Sequence, residues 1–137
     1  MSNDVATAVR LLTRIKKHLL KQKKRAEHPD TGSCQYRSPN GLRCAVGCLV
    51  PKVNYDPKSE GATLFDVPNG SIKRGKWSGD NSGTVALAKM LNKSHIPANS
   101  TVWKALSAAQ IIHDTSQPRL WAREMDDLIA ETKGASK

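Results

Sequence analysis

The sequence is poor in aromatic residues and has no long apolar run, and both shortages limit what the protein can be. Aromatic side chains make up 4% of the 137 residues, so the core must consist mainly of aliphatic side chains. No apolar stretch approaches the roughly 18–20 residues that a membrane-spanning helix needs. Asp4 and several basic residues interrupt the first apolar positions, so we expect no secretory signal peptide. These features predict one small domain, residues 1–137, located in the cytoplasm without a membrane partner.

Cysteine is scarce, and familiar catalytic motifs are missing. The three cysteines are an odd number in a chain without an export signal, so we expect reduced thiols and no disulfide framework. The sequence also lacks a P-loop, a G-x-G-x-x-G fingerprint, an H-E-x-x-H zinc motif and an EF-hand loop. It therefore offers no motif-based evidence for the enzyme classes that these signatures mark.

Acids are few as well, and positive charge is in excess. The formal net charge is +10, from 22 Lys and Arg against 12 Asp and Glu. Residues 1–58 hold twelve of these cations and four acids, whereas residues 59–137 hold ten and eight. A positive field concentrated in one half of the chain favours nucleic acid or an acidic protein surface as the partner.

Residues 4–26 have the pattern of an amphipathic helix with Asp4 as its N-cap. One face is apolar and consists of Val5, Ala8, Val9, Leu12, Ile15 and Leu19. The opposite face carries five cations, here termed the basic stripe: Arg10, Arg14, Lys17, Lys21 and Lys24. Such a stripe can follow a phosphate backbone, although residues 1–33 lack the aromatic side chains typical of single-strand binders. A solvated face that serves only solubility is the alternative interpretation.

The middle of the sequence predicts irregular structure with a small β component. A β-hairpin is expected over residues 34–44, with Ser38-Pro39-Asn40-Gly41 as its turn. A short buried helix over 44–50 follows, and Pro51 ends it. Residues 52–83 are rich in loop-forming residues, with at most short strands around 63–67 and 71–77.

Three further helices are expected over residues 84–92, 101–114 and 119–133, within a C-terminal helical region of 84–133. Ser100 is the expected N-cap of the second. The predicted fold is therefore α+β but mainly α, with four to five helices around a short buried central helix and one small β-hairpin.

The cysteines allow two kinds of site besides simple core packing. Cys34, Cys44 and Cys48 follow the spacing C-x9-C-x3-C, and His28 could complete a tetrahedral Cys3His zinc site. The spacing lacks the C-x2-C pair that marks most structural zinc sites, and small buried thiols are common on apolar helices. Zinc is thus an alternative cofactor, and the leading interpretation has none.

The second kind of site is the nucleophile of a cysteine-dependent hydrolase, which is an alternative function for this chain. Cys44 is expected where a strand ends and a helix begins, and a helix N-terminus favours thiolate. His113 could act as the base and Asp114 as its orienting group. Adjacent residues on a helix point about 100° apart, so we expect Asp114 to orient His113 poorly.

Three sequence blocks resemble those of a family of small phage-encoded proteins. They are Cys34-Gln-Tyr-Arg, then Gly41-Leu-Arg-Cys-Ala-Val-Gly-Cys-Leu-Val-Pro, then Gln110-Ile-Ile-His-Asp followed by Trp121. This chain has Ala109 where the family pattern has Leu. The family has no assigned chemistry, so the resemblance implies a setting: a non-enzymatic accessory protein for host takeover or anti-defence. Such a protein acts in the host cytoplasm and binds a host protein or nucleic acid.

Overall fold

The regular structure of the residues described here is helical. A computed structural model describes residues 3–60, 62, 82–97 and 99–134. It contains four α-helices: α1 (Asn3–Gln22), α2 (Ser82–Lys93), α3 (Ser100–Thr115) and α4 (Trp121–Gly134). The prediction of a mainly helical fold is confirmed. None of the helices in the described ranges is both long and apolar enough to cross a bilayer.

Helix α1 lies across the C-terminal helices and contributes much of the core. It packs against both α3 and α4, whereas α2 packs against the 3-10 turn Pro57–Ser59. Leu12, Ile15 and Leu19 are fully buried, as their spacing predicts. Leu11 is buried as well, whereas Val9, assigned to the apolar face from the sequence, is only half-buried.

The C-terminus of α1 comes four residues earlier than the sequence predicts. Lys23 adopts a left-handed backbone conformation with φ of 64°, which cannot continue an α-helix. Its amide still donates to the carbonyl of Leu19 at 2.8 Å. The Gln22 side chain then ties the helix end to Arg43, donating to the Arg43 carbonyl and accepting from the Arg43 amide, both at 2.8 Å. The chain therefore leaves the helix before Lys24.

The predicted β-hairpin over 34–44 is not confirmed. A turn forms, because Ser38 and Leu42 pair through their backbones, but the described residues contain only isolated bridges, one of which joins Arg37 and Arg43. The Cys44 amide also donates to the Tyr36 carbonyl at 3.3 Å, but the Tyr36 amide, which would extend the ladder, is bonded elsewhere. The Glu60 carboxylate accepts from the amides of Tyr36 and Arg37 at 2.8 and 3.1 Å. The Glu60 side chain thus takes the place of a strand partner for these amides.

The predicted central helix over 44–50 is not confirmed either, although its burial is. The segment contains a single 3-10 turn, Gly47–Leu49, and is almost entirely inaccessible to solvent. Gly47 lies directly against the backbone of Tyr36: a Cβ at this position would be 1.8 Å from the Tyr36 carbonyl oxygen. The close approach of two backbone segments leaves no room for a regular helix with side chains on every face.

The C-terminal helices match their predicted positions to within two residues at each end. Asn99, rather than the predicted Ser100, caps α3, because its side chain accepts from the Val102 amide at 2.9 Å. A 3-10 turn, Pro118–Leu120, precedes α4. Two further 3-10 turns occupy the start of the predicted loop over 52–83. The short strands expected around 63–67 and 71–77 lie outside the described residues.

Candidate functional site: a basic face and a buried network at Asp114

The basic stripe is exposed along its whole length, as the sequence predicts. All five of its cations are exposed to solvent. At 100° per residue, its four helical members fall within about 60° around the helix axis, and they span about 16 Å along it. None of the five pairs with a carboxylate among the described residues. Lys16, outside the stripe, is different: its ammonium contacts the Asp126 carboxylate at 2.6 Å and so links α1 to α4.

Beyond the end of α1, two pockets continue this positive surface. The smaller has a volume of about 220 Å³, and the larger has about 490 Å³. We call them the end pocket and the wide pocket. Lys23 and Pro118 line both, so the two adjoin each other. Sequence periodicity could not reveal them, because they form where the end of α1 meets the Pro118–Leu120 turn.

A cluster of polar side chains is buried or half-buried near the C-terminal end of α3. His113 is completely buried, and its ring stacks on the indole of Trp121. Its Nε2 atom accepts from the amide of Ala26 at 3.0 Å. Because an amide can only donate, Nε2 must be unprotonated, and the ring proton is on Nδ1. Nδ1 therefore donates to the Asp114 carboxylate, 2.7 Å away.

The prediction that Asp114 would orient His113 poorly is therefore wrong. The angle of 100° describes where the two side chains leave the helix, and both are long enough to meet beyond that point. The same carboxylate oxygen also accepts from the amide of Gln110 at 2.8 Å, and Gln110 in turn accepts from the Val46 amide at 3.1 Å. We call Cys34, Gln110, His113 and Asp114 the Asp114 network. Sequence reasoning missed Gln110, although its i, i+3, i+4 spacing with the other two on α3 could have indicated it.

Cys34 joins this network as a protonated thiol. Burial, followed by the charge of Asp114 and a hydrogen bond to it, raises the pKa of Cys34 to about 12. A pocket of about 160 Å³ lies beside it, lined among others by Tyr36 and Glu60. A thiol held in this form is not a good nucleophile. The network therefore joins chain segments rather than activating a cysteine.

The four residues of the predicted zinc site do not form a common cluster. In the described part of the chain, the ligand atoms that converge within 4.8 Å belong to Cys34, His113 and Asp114. Cys44 Sγ accepts instead from the Gly47 amide, Cys48 donates to the Ala45 carbonyl, and His28 Nδ1 accepts from the Asp30 amide.

The observed trio also fits a metal ion poorly. A metal bound to His113 Nδ1 would leave the ring proton on Nε2, facing the proton of the Ala26 amide at hydrogen-bonding distance. The hydrogen bonds of His113 therefore favour the network over a metal centre.

The predicted pairing of Cys44 with His113 has no support in the geometry. Cys44 is completely buried, and burial raises its pKa well above the ordinary value for a thiol. Both nitrogens of His113 already have partners, so neither is free to accept a proton from a thiol. The described residues therefore do not assemble the nucleophile and base that a cysteine hydrolase needs.

Comparisons with known proteins leave the function to be argued from the molecule itself. No protein-family model, curated protein or solved structure matches the chain.

Proposed function

We propose that this protein is a non-enzymatic phage accessory protein that binds a polyanionic surface of a host macromolecule in the host cytoplasm. The contact surface is the basic stripe. The observation that carries the proposal is its arrangement: four exposed cations on one narrow face of α1 and a fifth just beyond the end of the helix, with no carboxylate partner among the described residues. The ligand classes that suit this surface are nucleic acid and acidic proteins, since both supply negative charge along a surface.

The stripe has the features that polyanion binding needs. Its helical members repeat along about 16 Å of a rigid helix, so several contacts can form at once without ordering a flexible segment. The apolar face of α1 is fixed in the core through Leu12, Ile15 and Leu19, so the cations have a defined orientation. The cations near the C-terminus of α1 are also favoured by the helix dipole. Part of their role is therefore structural, and the test must separate binding from stability.

A double charge reversal tests the proposal. Arg14→Glu with Lys17→Glu should weaken binding of a fluorescein-labelled 20-nucleotide single strand or of labelled polyglutamate by about tenfold or more. Fluorescence anisotropy at fixed salt measures the affinity, and circular dichroism checks that the variant is folded.

The matched control is Lys89→Glu with Lys104→Glu, which changes net charge equally at exposed positions on α2 and α3. Equal weakening by both double variants would mean that net charge alone matters. Unchanged binding by the stripe variant would refute the proposal. A pull-down from bacterial lysate, with and without nuclease, then identifies the partner class.

A further inference from the structure

The end pocket and the wide pocket combine positive charge with exposed apolar surface. The end pocket is lined by Leu19, Leu20, Lys23, Pro118, Arg119 and Trp121. Leu20 is 38% exposed, which makes it the one exposed large apolar side chain that α1 presents in the described structure. Lys23 and Arg119 are also exposed. An apolar floor beside two cations suits a ligand that carries a flat apolar group next to a negative charge.

The charge around the pockets favours an anion. Besides Lys23, the wide pocket is lined by the cations Lys24 and Arg25, against a single carboxylate, Glu27. The Arg25 guanidinium is already engaged, since it donates to the carbonyls of His113 and Ser116 at 3.1 and 2.6 Å. The cations available to a ligand are therefore Lys23, Lys24 and Arg119. Arg119 donates to Gln117 through Nε and keeps its other guanidinium donors.

The size of the end pocket fits a nucleobase. Its volume of about 220 Å³ equals that of about seven water molecules, which is enough for a pyrimidine ring. Leu20 and Pro118 offer apolar contact to the ring, and the planar guanidinium of Arg119 can stack on it. The buried indole N–H of Trp121, another lining residue, has no acceptor among the described residues.

The position of the pockets connects them to the basic stripe. Lys24 belongs to the stripe and also lines the wide pocket, and Lys21 lies in the last turn of α1. A strand that follows the stripe would therefore arrive at the pockets. A duplex keeps its bases stacked inside, and an acidic peptide has a flat apolar group only where an aromatic residue lies among its acids, whereas every nucleotide of a single strand has a base beside its phosphate. Single-stranded nucleic acid meets both requirements.

We infer that the protein binds single-stranded nucleic acid, with one unstacked base in the end pocket and the adjoining phosphates on Lys23, Lys24 and the basic stripe. This inference rests on the proposed function and makes it more specific. The aromatic platforms usual in single-strand binding are replaced here by Leu20, Pro118 and Arg119.

Removing the bases from the ligand tests this inference. A fluorescein-labelled ten-nucleotide thymidine strand should bind about fivefold or more tightly than an abasic strand of equal length.

Leu20→Ser should reduce thymidine-strand affinity to the abasic level and leave abasic binding unchanged. Lys23→Gly, which suits the left-handed backbone at this position, should weaken binding of both strands. Val53→Ser is the matched control, because Val53 is an apolar residue that is 89% exposed and lines neither pocket.

The outcomes separate the two proposals. Equal affinity for the thymidine and abasic strands, at measurable strength, would overturn the base pocket and leave polyanion binding intact. Binding of labelled polyglutamate with no binding of either strand would overturn the inference in favour of an acidic protein partner. Failure of all three probes to bind would overturn the proposed function as well.

Discussion

At the scale of single residues, Gly47 shows how tightly the middle segment is packed. Any side chain there would collide with the Tyr36 backbone, which is held in place because the Glu60 carboxylate binds its amide and the Cys44 amide binds its carbonyl. We therefore expect Gly47→Ala to lower the free energy of unfolding by about 3 kcal/mol. Urea unfolding followed by circular dichroism measures this.

Gly134→Ala is the control for that substitution, because a Cβ at Gly134 would meet nothing within 4 Å. Its free energy of unfolding should stay within about 0.5 kcal/mol of the wild type. If both variants were equally stable, the contact between Gly47 and Tyr36 would not be as close as described.

The reactivity of the three thiols is the subject of a second prediction at the scale of single residues. Burial is the main cause that raises the pKa of both Cys34 and Cys48 to about 12, against an ordinary value of 9.0. At pH 8 their thiolate fractions should therefore be about a thousandfold below that of an ordinary thiol. Iodoacetamide should modify the native protein correspondingly slowly, and Cys44, which is fully buried, should react no faster.

The same protein in urea provides the reference rate, since its thiols are then exposed. Rapid modification of Cys44 in the native protein, even at pH 6, would contradict the buried, protonated state. It would also restore the cysteine hydrolase as a candidate function.

At the scale of elements, the end of α1 is the position where sequence periodicity was least informative. The cationic pattern runs on to Lys24, so nothing in the spacing marks the end of the helix at Gln22. The deciding contacts come from Arg43, which is distant in sequence. The hairpin failed for a similar reason, because Glu60 takes the amides of Tyr36 and Arg37. Elements that pack through an apolar stripe, such as α3 and α4, were predicted well.

The left-handed backbone of Lys23 leads to a prediction about this helix end. A side chain in this conformation costs about 1–2 kcal/mol, and glycine loses only about 0.5–1 kcal/mol through its greater freedom when unfolded. Lys23→Gly should therefore raise the free energy of unfolding by about 0.5–1 kcal/mol. Lys24→Gly, next in the chain and without a positive φ, should lower it by a similar amount. Two variants of equal stability would contradict the described backbone at Lys23.

At the scale of the whole molecule, the sequence predicted the distribution of charge and the helical class, but not which polar residues meet. Gln110 and Asp114 meet through their i, i+4 spacing on α3, whereas the contacts of Cys34 with Asp114 and of Ala26 with His113 form only because the end of α3 packs against the segment that follows α1. Those contacts depend on tertiary structure, which composition and periodicity do not encode. The single domain over 1–137 and the phage setting stay predictions.

The excess of positive charge leads to a prediction about how salt changes the stability of the whole molecule. A net charge of +10 destabilises the folded state by self-repulsion, which salt screens. Between 10 and 200 mM NaCl the free energy of unfolding in urea should rise by about 0.5–1 kcal/mol. The Arg14→Glu, Lys17→Glu variant has a net charge of +6, four less than the +10 of the wild type, and should show a smaller rise. Identical salt dependence would mean that the stripe is not a source of repulsion.

The packing of α1 against α3 and α4 also bears on how the protein is made. Lys16 and Asp126, which join α1 to α4, are 110 positions apart, and Ala26 and His113 are 87 apart. A ribosome completes α1 long before either covering helix has emerged. During that interval the apolar face of the cationic helix α1 is uncovered in the nascent chain. Chaperones can bind this face, and it can also associate prematurely with other chains. Folding of the core therefore waits until α3 and α4 have been synthesised, because these two helices cover the apolar face of α1.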